Sequence, residues 1–319
     1  MSQKAVLKAI KKGKVFLISS HVSVDVDGIA SELAMALYLK SLGKTVDIIN
    51  EEKIPPMYSF LPQARLIKAF KGRGKNYDTV IIFDCGDLQR IGKVKTIVPS
   101  GKTVINIDHH ITNRGFGKIN LVKPQASSTC EVLYDLFKVA GFKITKTIAQ
   151  LLYLGIMTDT GSFRYCNTSS HTHRATSDLL KFGFSVNKFY RKIYENIPLR
   201  DLKHFTKVIN RFELTHRNQV VSVTITKDRI GKFSGHFDLR DKIFSFLRSI
   251  KGVEVVVIFT EISRNLIRVN FRSQGKINVA TLASFFKGGG HQRASGCRIR
   301  GSTKGVKQKV YGRLKKILT

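Results

Sequence analysis

The amino-acid sequence predicts a two-domain α/β protein, and three observations support this. The chain has 319 residues, enough for about two domains with a large buried core. Hydrophobic residues make up 42% of the sequence and charged residues 24%, a composition typical of globular proteins. In the first half, short apolar runs alternate with amphipathic stretches, which indicates a largely parallel sheet flanked by helices.

The N-terminal elements follow from hydrophobic periodicity. Four β-branched runs have the length of strands: Val15–Ser19, Val46–Ile49, Val80–Phe83 and Val104–Ile107. Two amphipathic patterns between or after them predict helices: Ile29–Leu42 and Cys130–Val139. The pattern then becomes mostly helical, in four segments: Ile148–Met157, His173–Phe182, Val186–Tyr194 and Leu199–Ile209.

A second, smaller α/β unit with a mixed sheet is expected after these helices. Its strands are Val220–Thr226 and the hairpin of Val253–Ile262 with Leu266–Phe271. Its helices are Arg240–Ile250, Val279–Phe286 and Lys304–Leu318, with a glycine run before the last. We therefore expect an N-terminal domain at 1–190, a helical linker at 191–212 and a C-terminal domain at 213–319.

The charge balance is strongly basic. The chain has 55 Lys and Arg against 22 Asp and Glu, for a formal net charge of +33. Such a field attracts polyanions and raises their encounter rate, so it favours a nucleic-acid or nucleotide partner. A source whose proteins are all basic would give the same balance.

Cysteine usage and hydropathy indicate the compartment. The four cysteines are scattered without a C-x-x-C pair, which is typical of free thiols in a reducing environment. No apolar run approaches the ~20 residues of a membrane span, and the run at 15–18 is too short for a signal-peptide core. We expect a cytoplasmic protein with no membrane partner.

Acidic residues and histidines follow the predicted strands at their C-terminal ends. In open α/β sheets, ligands bind in the crevice outside these ends, so loops from different strands can converge there on one site. One further acid ends a predicted helix. The residues concerned are His21, Asp25, Asp27, Asp84, Asp108, His109, His110 and Asp159.

Each of these groups alone has an ordinary structural explanation, such as an N-cap at Asp25 or Asp27 or a turn cap at Asp84. Together, about five carboxylates and three histidines at one edge would destabilise the fold unless cations neutralised them. Mixed imidazole and carboxylate ligands suit Mn²⁺, Mg²⁺ or Fe²⁺ better than a structural zinc site. Two ions ~3.5–4 Å apart form the usual clamp on phosphate esters. The sequence therefore predicts a dinuclear metal centre.

The motifs that contain these residues resemble those of the DHH phosphoesterase superfamily. The N-terminal matches are His21–Ser31, Asp84–Gly92, Asp108-His109-His110 and Thr158–Tyr165. In the C-terminal half, Phe271–Ser273 and Gly288–Gly296 resemble the DHH-associated substrate-binding domain. The resemblance covers nearly the whole chain and fits the two-domain oligoribonuclease and pAp-phosphatase branch in order and spacing.

Two residues depart from the family pattern. Val24 stands where the first motif usually has Pro, and Gly28 stands where it has a small residue such as Ala. Neither is a ligand position, so the departures concern the conformation of the loop.

The resemblance implies an N-terminal metal-binding catalytic domain, with the active site in the cleft between the two domains. It assigns one metal to His21, Asp25 and Asp84, and a second to Asp27, Asp84, His109 and Asp159, with Asp84 bridging. Of the two catalytic residues, Asp108 would orient His109, and His110 would contact the phosphate and help protonate the leaving oxygen. Two Mn²⁺ ions are expected, with Mg²⁺ as the alternative.

The candidate substrate-binding residues have structural explanations as well. Ser128 with Glu131 fits a capping box, yet a helix N-terminus also offers N–H groups to a phosphate. A glycine run can simply end a helix, or it can let the backbone approach a nucleotide. Arg272 suits bidentate phosphate recognition but can also be a solvated strand residue. The full set is Ser128, Thr129, Arg164, Arg272, Ser273, Gly288, Gly289, Gly290 and His291.

The implied activity is metal-dependent hydrolysis of short oligoribonucleotides, linear dinucleotides such as pGpG and pApA, and pAp. The alternatives among hydrolases are a cyclic-dinucleotide (c-di-AMP) phosphodiesterase, a RecJ-like single-strand exonuclease, which normally needs more chain, and an inorganic pyrophosphatase. The pyrophosphatase would not be expected to carry the glycine loop at 288–291. A non-enzymatic alternative is a basic nucleic-acid-binding protein without metals, against which the intact ligand set argues. A homodimer is a candidate assembly.

Overall fold

The computed structural model describes residues 3–234, 238–275 and 277–318, and for His291 it describes the backbone alone. The chain divides into two compact units, one ending at Ile193 and the other beginning at Tyr194. The predicted domain limits at 190 and 212 stay a prediction.

The first unit contains a six-stranded parallel sheet. Its strands are β1 (Val15–Ser20), β2 (Thr45–Asn50), β3 (Ile67–Ala69), β4 (Thr79–Phe83), β5 (Thr103–Asp108) and β6 (Ile119–Val122). The spatial order is β3-β2-β1-β4-β5-β6, so the winding reverses between β1 and β4. In open α/β sheets, the crevice outside the carboxyl ends at such a switch point is where ligands bind.

The helices of the first unit are α1 (Gln3–Lys12), α2 (Val26–Ser41), α3 (Thr129–Val139), α4 (Lys146–Asp159), α5 (Ser170–Leu180) and α6 (Val186–Tyr194, across the division between the units). Short 3-10 turns lie at Pro56–Tyr58, Ala64–Leu66 and Leu88–Ile97. Helices α2 and α4 pack against each other, and both are buried along most of their length. A helix that is apolar nearly all round belongs in a core, which is where α2 lies.

The second unit has a mixed sheet, as predicted. Its strands are β7 (Glu213–Thr215), β8 (Val220–Ile225), β9 (Val255–Ser263), β10 (Leu266–Ser273), β11 (Gly289–His291) and β12 (Ala294–Arg300), in the order β11-β12-β10-β9-β8-β7. Strands β8 and β9 are parallel, and the other neighbours are antiparallel. Its helices are α7 (Leu199–Ile209), α8 (Lys227–Ile230), α9 (Leu239–Leu247), α10 (Val279–Phe285) and α11 (Thr303–Leu318).

Each face of this sheet has its own hydrophobic cluster. Residues of α10 and α11 pack on one face, around Phe259, Val269 and Phe271. Residues of α7 and α9 pack on the other face, around Val223 and Ile258. The second cluster includes residues of β8 and β9 and none of β10 or β12.

The predicted strands and helices are found, with ends that differ by a few residues. Helix α5 begins three residues earlier than expected because Ser169 and Thr172 form a capping box there. Several short or polar elements were not predicted: α1, β3, β6, β7, α8, β11 and β12. In the part of the chain that the structure describes, no helix is both long and apolar enough to cross a membrane.

Candidate metal centre

The switch point of the parallel sheet gathers the predicted ligands. His21 follows β1 and Asp84 follows β4, so they stand on either side of the point where the winding reverses. Asp25 is the N-cap of α2, and its side chain accepts a hydrogen bond from the Gly28 N–H at 3.2 Å. The ordinary explanation of Asp25 as a cap therefore holds alongside its place in the cluster. The remaining ligands come from the first turn of α2, the end of β5 and the last residue of α4: Asp27, His109 and Asp159.

Asp84 lies at the middle of the cluster. Its Oδ2 is 3.5 Å from His21 Nε2. Its Oδ1 is 3.6 Å from His109 Nε2 and 3.4 Å from His110 Nδ1. The two carboxylate oxygens thus face different histidines, the arrangement that a bridging ligand needs.

Two groups of three donors have metal-binding geometry around Asp84. The ligand atoms of His21, Asp25 and Asp84 lie within 4.8 Å of one another, and so do those of Asp27, His109 and Asp159. The first group equals the first predicted ligand set. The second group contains every residue of the second predicted set except Asp84. Asp84 contacts this group through His109. A third such group joins Asp84 to His109 and His110.

The carboxylates concentrate negative charge in a cluster where Asp27 and Asp84 are buried and Asp159 is partly exposed. Burial raises the pKa of Asp27 well above its ordinary value, and the charges of Asp84 and Asp159 raise it further. Burial and the charges of Asp84 and Asp25 likewise raise the pKa of Asp159 to about 7. The ionised forms of these two groups need a positive neighbour, so the donor set fits a divalent cation.

The histidines provide part of that positive charge when they are protonated. Burial alone would lower the pKa of His21, but its contact with Asp84 and the charge of Asp25 raise it to about 9. The charges of Asp159, Asp84 and Asp27 likewise outweigh burial at His109 and raise its pKa to about 9. Burial disfavours ionised Asp84, but the contact with His21 and the charges of His110 and His109 hold its pKa far below the usual range.

The backbone of Asp84 is left-handed, with φ of 52°. This conformation is uncommon for a residue with a side chain, although aspartate and asparagine adopt it most readily. The Asp84 N–H donates to the Ile107 carbonyl at 3.1 Å, and Thr129 Oγ1 donates to Asp84 Oδ1 at 3.1 Å. Bonds to two different elements therefore hold the turn that directs this carboxylate into the site.

The N-terminus of α3 binds Asp27. The Asp27 carboxylate accepts from the N–H groups of Thr129 at 2.7 Å and Cys130 at 3.0 Å. Ser128 and Thr129 are fully buried, and Ser128 Oγ accepts from the Glu131 N–H as the N-cap. A carboxylate of the protein therefore uses this helix end, and the expected phosphate contact at Ser128 and Thr129 stays a prediction.

Only half of the expected capping box on α3 forms. Ser128 caps the helix, but the Glu131 carboxylate accepts from the hydroxyls of Ser127 and Thr172. Glu131 thus ties the start of α3 to α5.

Asp108 orients His110 rather than His109, which corrects the role expected for it. Asp108 Oδ1 accepts from His110 Nδ1 at 2.7 Å and from the N–H groups of both histidines at 2.8 and 3.1 Å. His109 Nδ1 instead lies 3.3 Å from the Ala126 carbonyl oxygen. Burial disfavours ionised Asp108, but the hydrogen bond and charge of His110 hold its pKa below the ordinary value. A histidine whose Nδ1 is fixed in this way exchanges protons through Nε2.

Gly155 was missed by the sequence reasoning. A Cβ there would lie 2.6 Å from Asp27 Oδ1 and 2.3 Å from Cys130 Sγ, so only glycine lets α4 pack this closely behind Asp27. The available signal was a lone glycine inside a helical pattern, which often has a packing reason.

A buried network behind His21 was also missed. Asn50 Oδ1 accepts from the Ser20 N–H at 3.2 Å, and Asn50 Nδ2 donates to Glu32 Oε2 at 3.0 Å. Burial raises the pKa of Glu32 to about 8, although the bond from Asn50 opposes this. The network fixes the end of β1, and no motif signalled it.

The two departures from the family pattern are in contact. A Cβ on Gly28 would lie 2.8 Å from Val24 Cγ2 and 2.7 Å from Ser20 Oγ. Val24 therefore occupies space that a larger residue at position 28 would need, which accounts for glycine there.

The C-terminal candidate residues differ in availability. The Arg272 guanidinium stacks 4.7 Å above the Phe244 ring, and its NH1 donates to the Phe271 carbonyl at 3.2 Å. Ser273 is buried, and its hydroxyl donates to the Ile277 carbonyl at 2.7 Å. The protein itself therefore uses this hydroxyl, and the expected substrate contact of Ser273 stays a prediction.

Two of the three glycines in the run are needed for packing. A Cβ on Gly288 would lie 2.3 Å from the Gly296 oxygen, and Gly290 has φ of 138° with its Cβ position 2.5 Å from the Ala294 oxygen. Only Gly289 has open space beside it, so it stays a candidate for a nucleotide approach. The side chain of His291 lies outside the described residues.

The remaining candidates have local partners. Arg164 donates through Nε to the Gly161 carbonyl at 2.8 Å and so closes its own loop. Four histidines outside the motifs contact neighbouring side chains or backbone: His171, His173, His204 and His216. His236 lies outside the described residues. All four cysteines are free, as expected.

Fold and site together define the class of protein. A parallel sheet with an Asp and His cluster at its switch point, followed by a mixed-sheet unit, is the arrangement expected of DHH phosphoesterases. Residues 15–156 match the DHH family, N-terminal domain, and residues 217–318 match the DHHA1 domain. The chain belongs to the DHH phosphoesterase superfamily.

More particular relatives extend over most of the chain. It is 29% identical over 296 residues to the bifunctional oligoribonuclease and PAP phosphatase NrnA of Bacillus subtilis, and the match covers 92% of each chain. The protein of the same name from Thermus thermophilus is 29% identical over 300 residues, 93% of this chain and 87% of the relative. An exopolyphosphatase-related protein of Bacteroides fragilis has a similar solved structure, with a TM-score of 0.89 and 28% identity over 99% of this chain and 97% of its own.

Proposed function

We propose that this protein is a dinuclear-metal phosphoesterase that hydrolyses short oligoribonucleotides, linear dinucleotides such as pGpG and pApA, and pAp. The observation that carries the proposal is the position of Asp84, whose two oxygens face the two donor groups at the switch point. The names of the Bacillus and Thermus relatives support the substrate class. The net charge of +33 favours the same polyanions.

His21, Asp25 and Asp84 would hold one ion, and Asp27, His109 and Asp159 would hold the other, with Asp84 shared. When bound, two divalent ions supply Lewis acidity that polarises phosphoryl oxygens and lowers the pKa of water. The chain positions their ligands through the N-terminus of α3, which binds Asp27, and the left-handed turn at Asp84.

His110 is the proton donor in this proposal. Asp108 holds its Nδ1 at 2.7 Å, which fixes the ring and keeps Nε2 as the nitrogen that can protonate a leaving oxygen. Arg272, Gly289 and His291 are the main substrate contacts that we propose in the C-terminal unit. A cytoplasmic location and a homodimer also stay predictions.

The expected metal is Mn²⁺, with Mg²⁺ second. Mixed imidazole and carboxylate donors suit Mn²⁺, whereas Mg²⁺ prefers oxygen ligands alone and Ca²⁺ takes more ligands at longer distances.

A substrate panel with metal-stripped protein tests the proposal. We expect chelator-treated protein to regain most activity with Mn²⁺, less with Mg²⁺ and little with Ca²⁺. At equal concentration, pAp, pApA, pGpG and RNAs of a few nucleotides should be hydrolysed faster than cyclic dinucleotides, pyrophosphate or long RNA. Full activity after exhaustive chelation would rule out the metal mechanism, and turnover of pyrophosphate alone would rule out the substrate class.

A further inference from the structure

Two arginines lie opposite each other on the sheet of the second unit. Arg268 of β10 pairs with Arg298 of β12 in the antiparallel register, so both side chains leave the same face. Like charges directly opposite each other destabilise a sheet unless something compensates them.

The surroundings of Arg268 add positive charge. Arg268 is half-buried, and burial together with the charges of Arg240 and Arg298 lowers its pKa. None of the ion pairs or hydrogen bonds formed by the described residues provides a carboxylate to Arg240, Arg268 or Arg298. Among the residues that the structure describes, no carboxylate is therefore bonded to this group of arginines.

Two buried polar atoms lie on the same face. Thr260 stands opposite Arg268 on β9, is 4% exposed, and its Oγ1 has no hydrogen-bond partner among the described residues. Asn270 is two residues from Arg268 on β10, and its buried Oδ1 also has none there. Because residues i and i+2 of a strand share a face, these atoms lie beside the arginines. We call the group of Thr260, Arg240, Arg268, Asn270 and Arg298 the arginine face.

The hydrophobic cluster formed with α7 and α9 does not extend to the strand residues of the arginine face. The cluster formed with α7 and α9 includes Val256 and Ile258 of β9, and it includes no residue of β10 or β12. On β12, Arg298 is exposed, and Gly296 stands opposite Asn270 with no side chain above it. A Cβ on Gly296 would lie 2.8 Å from Asn270 Nδ2, so glycine keeps room for that amide.

We propose that the arginine face binds a phosphate group of a single-stranded oligonucleotide. The proposal rests on the proposed function, because it takes the substrate to be an oligonucleotide, and it adds a phosphate position apart from Arg272. Guanidinium groups bind phosphate oxygens through paired N–H donors, and the Thr260 hydroxyl can add one more. Asn270 Oδ1 accepts a hydrogen bond, which a ribose hydroxyl can donate.

The position of the arginine face makes its effect depend on substrate length. Arg268 and Arg272 are four residues apart on β10, about 13 Å along an extended strand. An oligonucleotide of several residues can place different phosphates at the two positions, whereas a dinucleotide held at Arg272 is too short to engage both. The arginine face should therefore strengthen binding of longer oligonucleotides and leave dinucleotides unaffected.

The test uses the full chain in chelator with fluorescein-labelled pentaadenylate and pApA, measured by fluorescence anisotropy. We expect Arg298→Ala to weaken pentaadenylate binding about 10-fold or more, as for the loss of one charged phosphate contact, with little change for pApA. The slope of log affinity against log salt for pentaadenylate should become shallower by about 0.7. Lys309→Ala, which removes an exposed charge from α11, should leave both affinities nearly unchanged.

Arg268→Gln provides a second variant, and thermal unfolding checks that both variants fold. Removing one member of the like-charge pair should leave the melting temperature equal or higher. Unchanged pentaadenylate affinity, an equal loss for pApA, or an equal loss in Lys309→Ala would overturn the proposal. Binding in chelator needs no turnover, so this result is independent of whether the protein hydrolyses RNA. Conversely, if the arginine face does not bind oligonucleotides, hydrolysis of pApA should be unaffected.

Discussion

The metal centre and the arginine face both gather like charges, but of opposite sign and with different compensation. In the metal centre, acidic residues contact histidines at 3.3–3.6 Å, so protonated histidines can offset the carboxylates. In the arginine face, no acid pairs with Arg268 among the described residues. In our proposals, the first region would therefore exchange protons for its ligand, and the second would bind its ligand through charge that is always present.

The two regions should therefore respond differently to pH and to salt. A site that trades protons for cations must depend on pH and must lose its function when a central carboxylate is removed. A site built from arginines should depend on salt instead, since arginine stays protonated at all ordinary pH values.

The largest expected effect is that of Asp84→Asn. Asparagine tolerates the left-handed backbone at this position, so the fold should survive while the bridging charge is lost. We expect turnover to fall by more than about 10²-fold, the upper range for residues that only support metal ligands. Bound metal should fall by more than one ion per chain, as measured by elemental analysis.

Asp178→Asn is the matched control, because Asp178 contacts Tyr134 of α3 and Lys181, the C-cap of α5, instead of the metal centre. It should keep both metal and activity. Near-normal activity of Asp84→Asn with two ions retained would exclude Asp84 as the bridge.

Arg272→Ala tests whether the second unit contributes a substrate contact. We expect kcat/KM for pApA to fall ~10–10³-fold, roughly the loss of one charged phosphate contact or somewhat more. Metal content should stay the same. Hydrolysis of bis-p-nitrophenyl phosphate should fall much less, because that ester needs only the metals. Equal losses on both substrates would place Arg272 at the chemical step or in the fold.

The stability of the metal-free protein should fall as pH rises. The folded state raises the pKa of Asp159 to about 7, so it binds this proton more tightly than the unfolded chain and loses that advantage between the ordinary value of 3.8 and about 7. His21 and His109, raised from 6.5 to about 9, stabilise the fold fully below 6.5 and lose this contribution through about 9. All three pKa values are raised in the folded state, so each group makes the metal-free protein less stable as pH rises.

Thermal unfolding from pH 5 to 9, in chelator and in saturating Mn²⁺, measures this effect. The stabilisation by Mn²⁺ should widen with pH, because fewer protons compete for the ligands. Asp159→Asn should make the melting temperature of the chelated protein depend less on pH below pH 7. A chelated protein whose melting temperature rose with pH would contradict the proton-for-metal exchange.

The smallest expected effect concerns the loop between His21 and α2. Gly28→Ala places a methyl group 2.8 Å from Val24 Cγ2, and overpacking of this kind costs about 1–3 kcal/mol. Val24→Ala in the same chain should recover part of the loss, which a double-mutant cycle by denaturant unfolding would show. Additive effects would mean that the two departures from the family pattern are unrelated.

Much of the fold was predictable because its signals are local. The strands that carry ligands are apolar runs such as Thr79–Phe83, whose residues are buried together. Strand β12 was missed because Ala294–Arg300 contains glycine and two arginines, and its place between β11 and β10 depends on partners elsewhere in the chain. Strands β3 and β6 were missed because three or four residues carry too little pattern.

The Asp and His cluster and its edge of the sheet could be predicted from the sequence alone, because the C-terminal ends of parallel strands meet at one edge. Tertiary structure decided which atoms meet there. It showed that Asp108 holds His110, that the N-terminus of α3 holds Asp27, and that Gly155 makes room for that carboxylate. These contacts join residues far apart in the chain, as in the 102 positions between Asp27 and Thr129, and depend on side-chain geometry that no local pattern contains.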